Sequence, residues 1–147
     1  MAFIGSVTAY PTVTPAGADL LPLIQGGVVK TVAASNFLQA IIPQNSQSAA
    51  YTLVLTDGGK HILHPSADTT ARIWTIPANA SVAFPIGTAV TFVNQNAGGV
   101  ITIAITTDTM RLAGAGTTGS RTLAANGIAT ALKITATEWI ISGTGLS

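Results

Sequence analysis

The sequence predicts an all-β protein, in which an antiparallel sandwich with a jelly-roll-like arrangement follows an extended N-terminal arm. From residue 51 onward, short runs rich in Val, Ile and Thr alternate with turns rich in Gly, Asn, Asp and Pro. Helical spacing of apolar residues is scarce after Pro43. Short strands and turns at regular spacing are typical of antiparallel sandwiches, jelly rolls and barrels.

The composition indicates a subunit of a larger assembly. Only 7% of the 147 residues are charged, against about 25% in ordinary globular domains. A free monomer normally carries more charge for solubility, so we expect much of the surface to contact copies of the chain or a partner. The net charge of +1 gives no field that would attract nucleic acid. No apolar run approaches the ~18 residues of a membrane span, so neither nucleic acid nor a membrane is an expected partner.

Residues 1–50 are predicted to form an N-terminal arm that attaches the protein to a partner. Pro11 and Pro15 interrupt any regular element near its start.

Three local signals follow within this arm. The runs 20–24 and 28–32 flank Gly26 and Gly27, which predicts a hairpin whose turn takes positive φ values. A short helix is predicted over 36–41, ended by a proline. The polar run 44–48 is predicted to be a linker.

Residues 51–147 are predicted to form the β-domain. The stretch 72–93 consists of two strands joined at a proline-rich corner, and its aromatic residues are expected in the core. The turn residues predict three further hairpins, which pair 51–56 with 60–64, 88–93 with 100–106, and 121–125 with 128–135 across Asn126-Gly127.

The sequence offers little for catalysis or metal binding. His61 and His64 lie three residues apart, so in a strand they point to opposite faces and cannot chelate together. The acids Asp57, Asp68 and Asp108 lie in or beside turns, where such side chains bond nearby backbone. No hydrolase, nucleotide or metalloprotease motif is present. We therefore expect a non-enzymatic protein with no catalytic residue, cofactor or metal.

The remaining prominent side chains are assigned to packing or to partner binding. Trp74 and Trp139 lie within apolar strand runs and are expected to anchor the core or an interface. Asn79 begins a match to the glycosylation sequon that is interpreted as a turn. The arginines are candidates for ion pairs to a partner. Solvated charges that protect a strand edge are an equally good interpretation of them.

Several segments resemble proteins of the virion surface of tailed bacteriophages. The segment 18–30, ADLLPLIQGGVVK, resembles the D-x-L-P-(I/V)-x-Q-G-G-(V/T)-x-K element near the start of many phage fibre and virion-surface proteins. The β-domain shows further similar marks, which are YTL with DGGK at 51–60, IP at 76–77, VAFPIGT at 82–88 and EWIISG at 138–143. Together these segments span most of the chain.

The resemblance implies a virion component, and the short chain favours one kind. Phage fibres are usually longer, with repeated shafts, whereas this chain has neither a repeat nor heptads. The resemblance therefore implies a capsid decoration or cement protein on the outer surface of the head that bridges major capsid subunits. The alternative is a small tail or head fibre module that binds a host receptor or glycan. An enzyme acting on surface polysaccharide is the third hypothesis. The predicted partner-binding residues are Leu20, Leu23, Ile24, Val28, Phe37, Arg72, Arg111 and Arg121.

Overall fold

Strands make up almost all the regular structure in the part of the chain that the computed structural model describes, residues 20–33 and 41–147. The chain divides into two units after residue 41. The strands of the first unit are β1 (Leu20–Gln25) and β2 (Val28–Ala33). Those of the second are β3 (Gln44–Ser46), β4 (Tyr51–Thr52), β5 (His61–His64), β6 (Arg72–Ile76), β7 (Ala89–Asn94), β8 (Ile101–Ile105), β9 (Thr109–Leu112), β10 (Arg121–Lys133) and β11 (Glu138–Leu146).

The first unit contains the predicted hairpin. β1 and β2 pair antiparallel, with Gln25 opposite Val28. Gly26 and Gly27 have φ values of 59° and 77°, as a two-residue turn of the primed type requires. The hairpin prediction is confirmed. The predicted arm before Leu20 and most of the predicted helix over 36–41 lie outside the described residues.

Two stacks of parallel strands form the body of the second unit. β3, β5 and β7 pair in parallel and make the first stack. β4, β6 and β8 pair in parallel and make the second stack. Since the chain alternates between the stacks, each strand pairs with the strand two places along the sequence rather than with the next one.

The long strand β10 joins the two stacks. Its residues 128–132 pair antiparallel with β7 in the first stack, and its residues 121–123 pair antiparallel with β8 in the second. β11 pairs antiparallel with the other edge of β10, and β9 lies parallel to β11. The result is a curled, mixed sheet that forms about half of a barrel.

The concave side of the curled sheet holds the core. Trp74 stacks on Phe92 with ring centroids 6.2 Å apart, and Phe84 meets Trp139 edge-to-face at 5.6 Å. Aromatic pairs at such separations add to the free energy gained from their burial. Both tryptophans are fully buried, which confirms their assignment to the core. The other fully buried apolar residues include Leu53, Ile62, Ile76, Val90, Ile101, Ile103, Met110, Leu123, Ala131 and Ile141.

The all-β prediction is confirmed, but the prediction of an antiparallel sheet is wrong for both stacks. The three hairpins predicted after residue 50 are also wrong. β5 pairs with β3 and β7, and β8 pairs with β6 and β10. Each strand of a stack makes its backbone hydrogen bonds with other strands of that stack or with β10. The turn-forming residues after β4 and β7 therefore lie where the chain crosses from one stack to the other.

The strongest of those hairpin signals, Asn126-Gly127, lies inside the continuous strand β10. Asn126 has a φ of 57°, and the pairing of β10 with β11 shifts register between Leu123 and Ile128. The extra residues form a bulge that bends β10, so that one strand follows both stacks.

The predicted linker at 44–48 also proves to be structured in part. Residues Gln44–Ser46 form β3, whose Asn45 pairs with Ile62 of β5. The second unit accordingly begins at residue 42.

Candidate functional site

The solvent-facing side of the first stack and of the adjoining half of β10 is an uncharged surface. Along β5, β7 and β10, buried positions alternate with partly or fully exposed ones. The exposed positions define what we call the outer face, and they are His61, Leu63, Ala89, Thr91, Val93, Ile128, Thr130 and Leu132.

Strand register arranges the outer face in rows. Leu63, Val93 and Ile128 form an aliphatic row. Beside it, Thr91 lies between His61 and Thr130, and the two threonine hydroxyl oxygens are 2.9 Å apart. Ile128 is 50% exposed, although isoleucine is among the residues most often buried.

An apolar cleft of about 500 Å³ continues this surface. Ala89 belongs to both, and the cleft is also lined by Leu55, Ala83 and Pro85. Leu55 is 56% exposed. Contiguous exposed apolar surface of this kind marks sites of interaction with other molecules.

A buried polar cluster lies at the corner between the two stacks. The Nδ1 atom of His64 is 2.9 Å from Oδ1 of Asn94, and its Nε2 atom is 3.1 Å from Oδ2 of Asp68. Arg72 donates to both oxygens of Asp68, from Nε at 2.8 Å and from Nη2 at 3.1 Å. The guanidinium of Arg72, joined by the backbone N–H of Thr70 and by His64, holds the pKa of the Asp68 carboxyl well below its usual range.

Two asparagines complete this corner by bonding to the backbone. The side-chain amide of Asn94 donates to the carbonyl oxygens of Gly99, Leu123 and Ala124. The side chain of Asn96 donates to the carbonyls of Ser66 and Asp68. Each polar side chain of the cluster has partners within the fold, and these bonds hold the corner together.

A second polar cluster surrounds Asp57, which is 1% exposed. Its carboxylate accepts from the Tyr51 hydroxyl at 2.7 Å, from the Asn45 amide at 3.0 Å and from the backbone N–H of Val54 at 2.9 Å. Burial and the bond to Asp57 raise the pKa of Tyr51. This cluster connects β3 and β4 with the 3₁₀ turn at Leu55–Asp57. Asp57 and Asp68 accept the nearby backbone N–H groups of Val54 and Thr70, as expected for turn residues, whereas Asp108 accepts the backbone N–H of Asn79, 29 residues away.

All three arginines named as partner-binding candidates bond within the chain. Arg72 pairs with Asp68 as described, and Arg111 donates from Nε to Glu138 at 2.7 Å. Arg121 donates to the carbonyl oxygen and the hydroxyl of Thr117. The three lie on β6, β9 and β10, and no contact joins them into one site within the described residues.

The candidates in the arm lie mainly in the hairpin of the first unit. Leu20, Leu23 and Ile24 belong to β1, and Val28 is the first residue of β2, where it is 57% exposed. Phe37 lies outside the described residues.

The two histidines take opposite sides of β5, as their spacing predicts. His61 faces outward, and its Nε2 atom is 3.2 Å from Nε2 of Gln44, whereas His64 is fully buried. In residues 20–33 and 41–147, no group of three or more metal-ligating side chains exists. The same residues include no helix that is long and apolar enough to cross a membrane.

Sequence reasoning missed the outer face and the buried polar residues. The signal for His64 and Lys133 was present, because both fall in phase with buried residues of their strands, Ile62 and Ala131. The outer face required the strand register, which joins residues from segments far apart in sequence.

Comparison with known proteins gives no relative: no family model, no curated protein and no solved structure matches this chain.

Proposed function

We propose that this protein is a non-enzymatic structural component of a phage virion that decorates the outer surface of the head and bridges major capsid subunits. The observation that carries the proposal is the outer face, which presents aliphatic and threonine side chains and His61, with no Asp, Glu, Lys or Arg. The resemblance of the sequence to phage virion-surface proteins supplies the biological setting.

The physical argument rests on the apolar area that a partner would cover. Burial contributes about 25 cal/mol per Å² of apolar surface, so ~200 Å² contributes about 5 kcal/mol before the cost of association. On a capsid lattice, several such contacts per subunit act together and raise the overall affinity. Stable decoration therefore depends on several such contacts acting together, because one alone only offsets the cost of association.

Self-association belongs to the same proposal. The sheet presents an uncharged face and the chain carries few charges, so we propose that copies form a dimer or a trimer on the capsid. We associate a jelly-roll arrangement of the strands with capsid decoration. The exposed face of the curled sheet would be enough to make the contacts described above.

A second candidate function is a small fibre module that binds a host receptor or glycan. The resemblance of the sequence to phage fibre proteins supports it. The edge strands β3 and β4 are three and two residues long, and such short edges resist the addition of further strands, so a fibre module would bind through its faces.

Binding to capsids tests the first candidate. The full chain is mixed with purified expanded heads that lack decoration, and the melting temperature of the heads is measured. We expect binding and a higher melting temperature for the natural protein, and loss of both for Ile128→Lys, which places a charge on the outer face. Ala136→Lys changes an exposed residue away from this face and serves as the matched control.

The outcome separates the two candidates. If the natural protein fails to bind heads, head decoration is wrong. If it then binds immobilised glycans or host cells, the fibre module is the better assignment. Equal binding by both lysine variants would show that the outer face is not the contact surface.

A further inference from the structure

The last residue of β10, Lys133, is a buried lysine with an unusual partner. Its side chain is 1% exposed, and its Nζ atom donates to the side-chain oxygen Oδ1 of Asn79 at 2.6 Å. Within the described residues, no carboxylate oxygen lies within 4.0 Å of this amine. A buried ammonium with one neutral acceptor is an expensive arrangement, because burial of a charge usually requires an opposite charge.

An aromatic pair lies beside the Lys133 amine. The Nζ atom of Lys133 lies 5.6 Å from the ring centroid of Trp139, and Phe84 packs edge-to-face against the same ring. The indole Nε1 of Trp139 is buried and has no hydrogen-bond partner among the described residues. The Trp139 indole therefore does not hydrogen-bond to the Asn79 carboxamide.

The backbone fixes both residues in place. The Lys133 N–H donates to the carbonyl of Thr88 at 2.9 Å, and the Lys133 carbonyl accepts from Gly87 at 2.8 Å. The backbone N–H of Asn79 donates to the Asp108 carboxylate at 2.9 Å. A C=O bond is about 1.2 Å long, so the 2.6 Å contact places Nζ about 3 to 4 Å from the carboxamide carbon of Asn79. A near-attack arrangement places reacting atoms about 3–3.5 Å apart with their orbitals aligned, so the amine needs a short movement from Oδ1 onto the face of the carboxamide carbon.

We propose that Lys133 and Asn79 form an intramolecular isopeptide bond. The Lys133 amine loses a proton and attacks the carboxamide carbon Cγ of Asn79, which forms the Nζ–Cγ bond. The Cγ–Nδ2 bond then breaks, and the nitrogen leaves as an ammonium ion. The Asp108 carboxylate accepts the backbone N–H of Asn79 but lies more than 4.0 Å from Nζ, so it relays a proton from the amine to the departing nitrogen through one water molecule. No oxidant, reductant or further reactant is needed: Nζ gives up two protons, the departing nitrogen gains both, and the Lys133 ammonium and the Asn79 carboxamide yield one amide and one ammonium ion.

Three features of the site drive this reaction. Conversion of the amine to an amide removes a buried charge from an aromatic pocket. The fold holds the amine and the carboxamide together, so the reaction needs no encounter between separate molecules. The carboxylate that carries the proton is anchored on the backbone of Asn79 itself. The resulting bond would join two side chains that are 54 positions apart in the sequence.

Tryptic peptide mapping of the purified full chain tests the proposal directly. Trypsin does not cleave after a lysine whose amine is an amide, so the bond yields a branched product in which peptide 73–111 is joined to peptide 122–147. We expect this product, with a mass lower than the sum of the two peptides by one ammonia. We also expect no linear peptide that ends at Lys133.

Three variants test which side chains take part in forming the bond. Lys133→Met retains an unbranched side chain beside Trp139, and it should abolish the branched peptide. Asp108→Asn should leave most of the protein uncrosslinked, whereas Lys60→Met, which alters a partly exposed lysine, should leave the crosslink complete.

Two results would overturn these assignments. If the natural protein gives the separate peptides 73–111 and 122–133, the two residues are joined only by a hydrogen bond. If Asp108→Asn crosslinks as completely as the natural chain, Asp108 does not carry the proton. Because the first measurement uses the natural protein, it does not depend on any variant folding.

Discussion

At the scale of single residues, Asp68 shows how one carboxylate can hold a corner. Its carboxylate accepts hydrogen bonds from two nitrogens of Arg72 and from the backbone N–H of Thr70, and it lies beside the ring of His64. Charge-assisted hydrogen bonds of this kind are stronger than neutral ones. The residue therefore links the loop after β5 to the start of β6, and its charge state should affect the stability of the whole corner.

Replacement of Asp68 by asparagine should destabilise the protein in a pH-dependent way. Because the fold lowers the pKa of Asp68, its carboxylate stabilises the folded state above the ordinary carboxyl pKa of about 3.9. That contribution is lost as the pH falls toward the lowered value. Asp68→Asn should thus unfold at lower urea concentration than the natural chain near pH 7, and the difference should shrink below about pH 4.

Glu138→Gln is the matched control for Asp68→Asn. It removes the ion pair with Arg111, whose side chain is 43% exposed, and such pairs contribute about 0.5 kcal/mol. If the urea midpoints of Asp68→Asn and the natural chain differ by the same amount at pH 3 and at pH 7, this interpretation of Asp68 is wrong.

At the scale of elements, β10 and β11 pack so closely that a glycine is required between them. Gly143 of β11 lies opposite Ala129 of β10. A Cβ atom at Gly143 would lie 2.2 Å from the carbonyl oxygen of Ile128 and 2.5 Å from Cα of Ala129. Backbone atoms cannot yield as the end of a flexible side chain can, so the strands would have to separate.

Gly143→Ala should consequently lower the free energy of unfolding by about 2–3 kcal/mol or more, the usual cost of overpacking. Gly98→Ala is the control, because a Cβ there would meet only Asn96 Oδ1, at an ordinary 3.5 Å. Chemical denaturation of the two variants measures the difference. Equal stabilities would mean that β10 and β11 accommodate the methyl group by a shift that costs little.

Local signals predicted the presence of strands well and their pairing poorly. Gly26-Gly27 joins two strands that are neighbours in sequence and in space, so its local chemistry sufficed. Asn126-Gly127 has the same chemistry, yet β10 continues through it. A Cβ at Gly127 would lie 2.7 Å from the side chain of Leu123, so the glycine allows the bulge to pack tightly. Only tertiary structure distinguishes a bulge from a reversal, because both use a residue with positive φ.

At the scale of the whole molecule, the division of the chain predicts that the second unit folds on its own. Its boundary is set by hydrogen bonds, because the backbone N–H of His61 donates to the carbonyl of Pro43 and its Nδ1 is 3.2 Å from the carbonyl oxygen of Ile42. The outer face lies within this unit, and it could not be predicted from local patterns, since its rows combine β5, β7 and β10. The uncharged composition nevertheless indicated that such a surface would exist.

A chain that starts at residue 42 should therefore keep the fold of the second unit. We expect a β-type circular dichroism spectrum, retained near-ultraviolet signal from the buried Trp74 and Trp139, and one cooperative unfolding transition. A chain that starts at residue 51 is the comparison, and it should be less stable because it lacks β3. If the chain from residue 42 is unfolded, the first unit contributes to the core.

The position of β10 has a consequence for synthesis of the protein. β10 supplies an edge partner to both β7 and β8, so a nascent chain that stops before residue 121 has unpaired edges on both stacks. Unpaired strand edges recruit other chains, and pairing between distant segments is slow. Translation of β10 and β11 thus covers the edges of β7 and β8 that the shorter chain leaves unpaired. Ribosome stalling within β10 should therefore place this protein at greater risk of aggregation than stalling elsewhere.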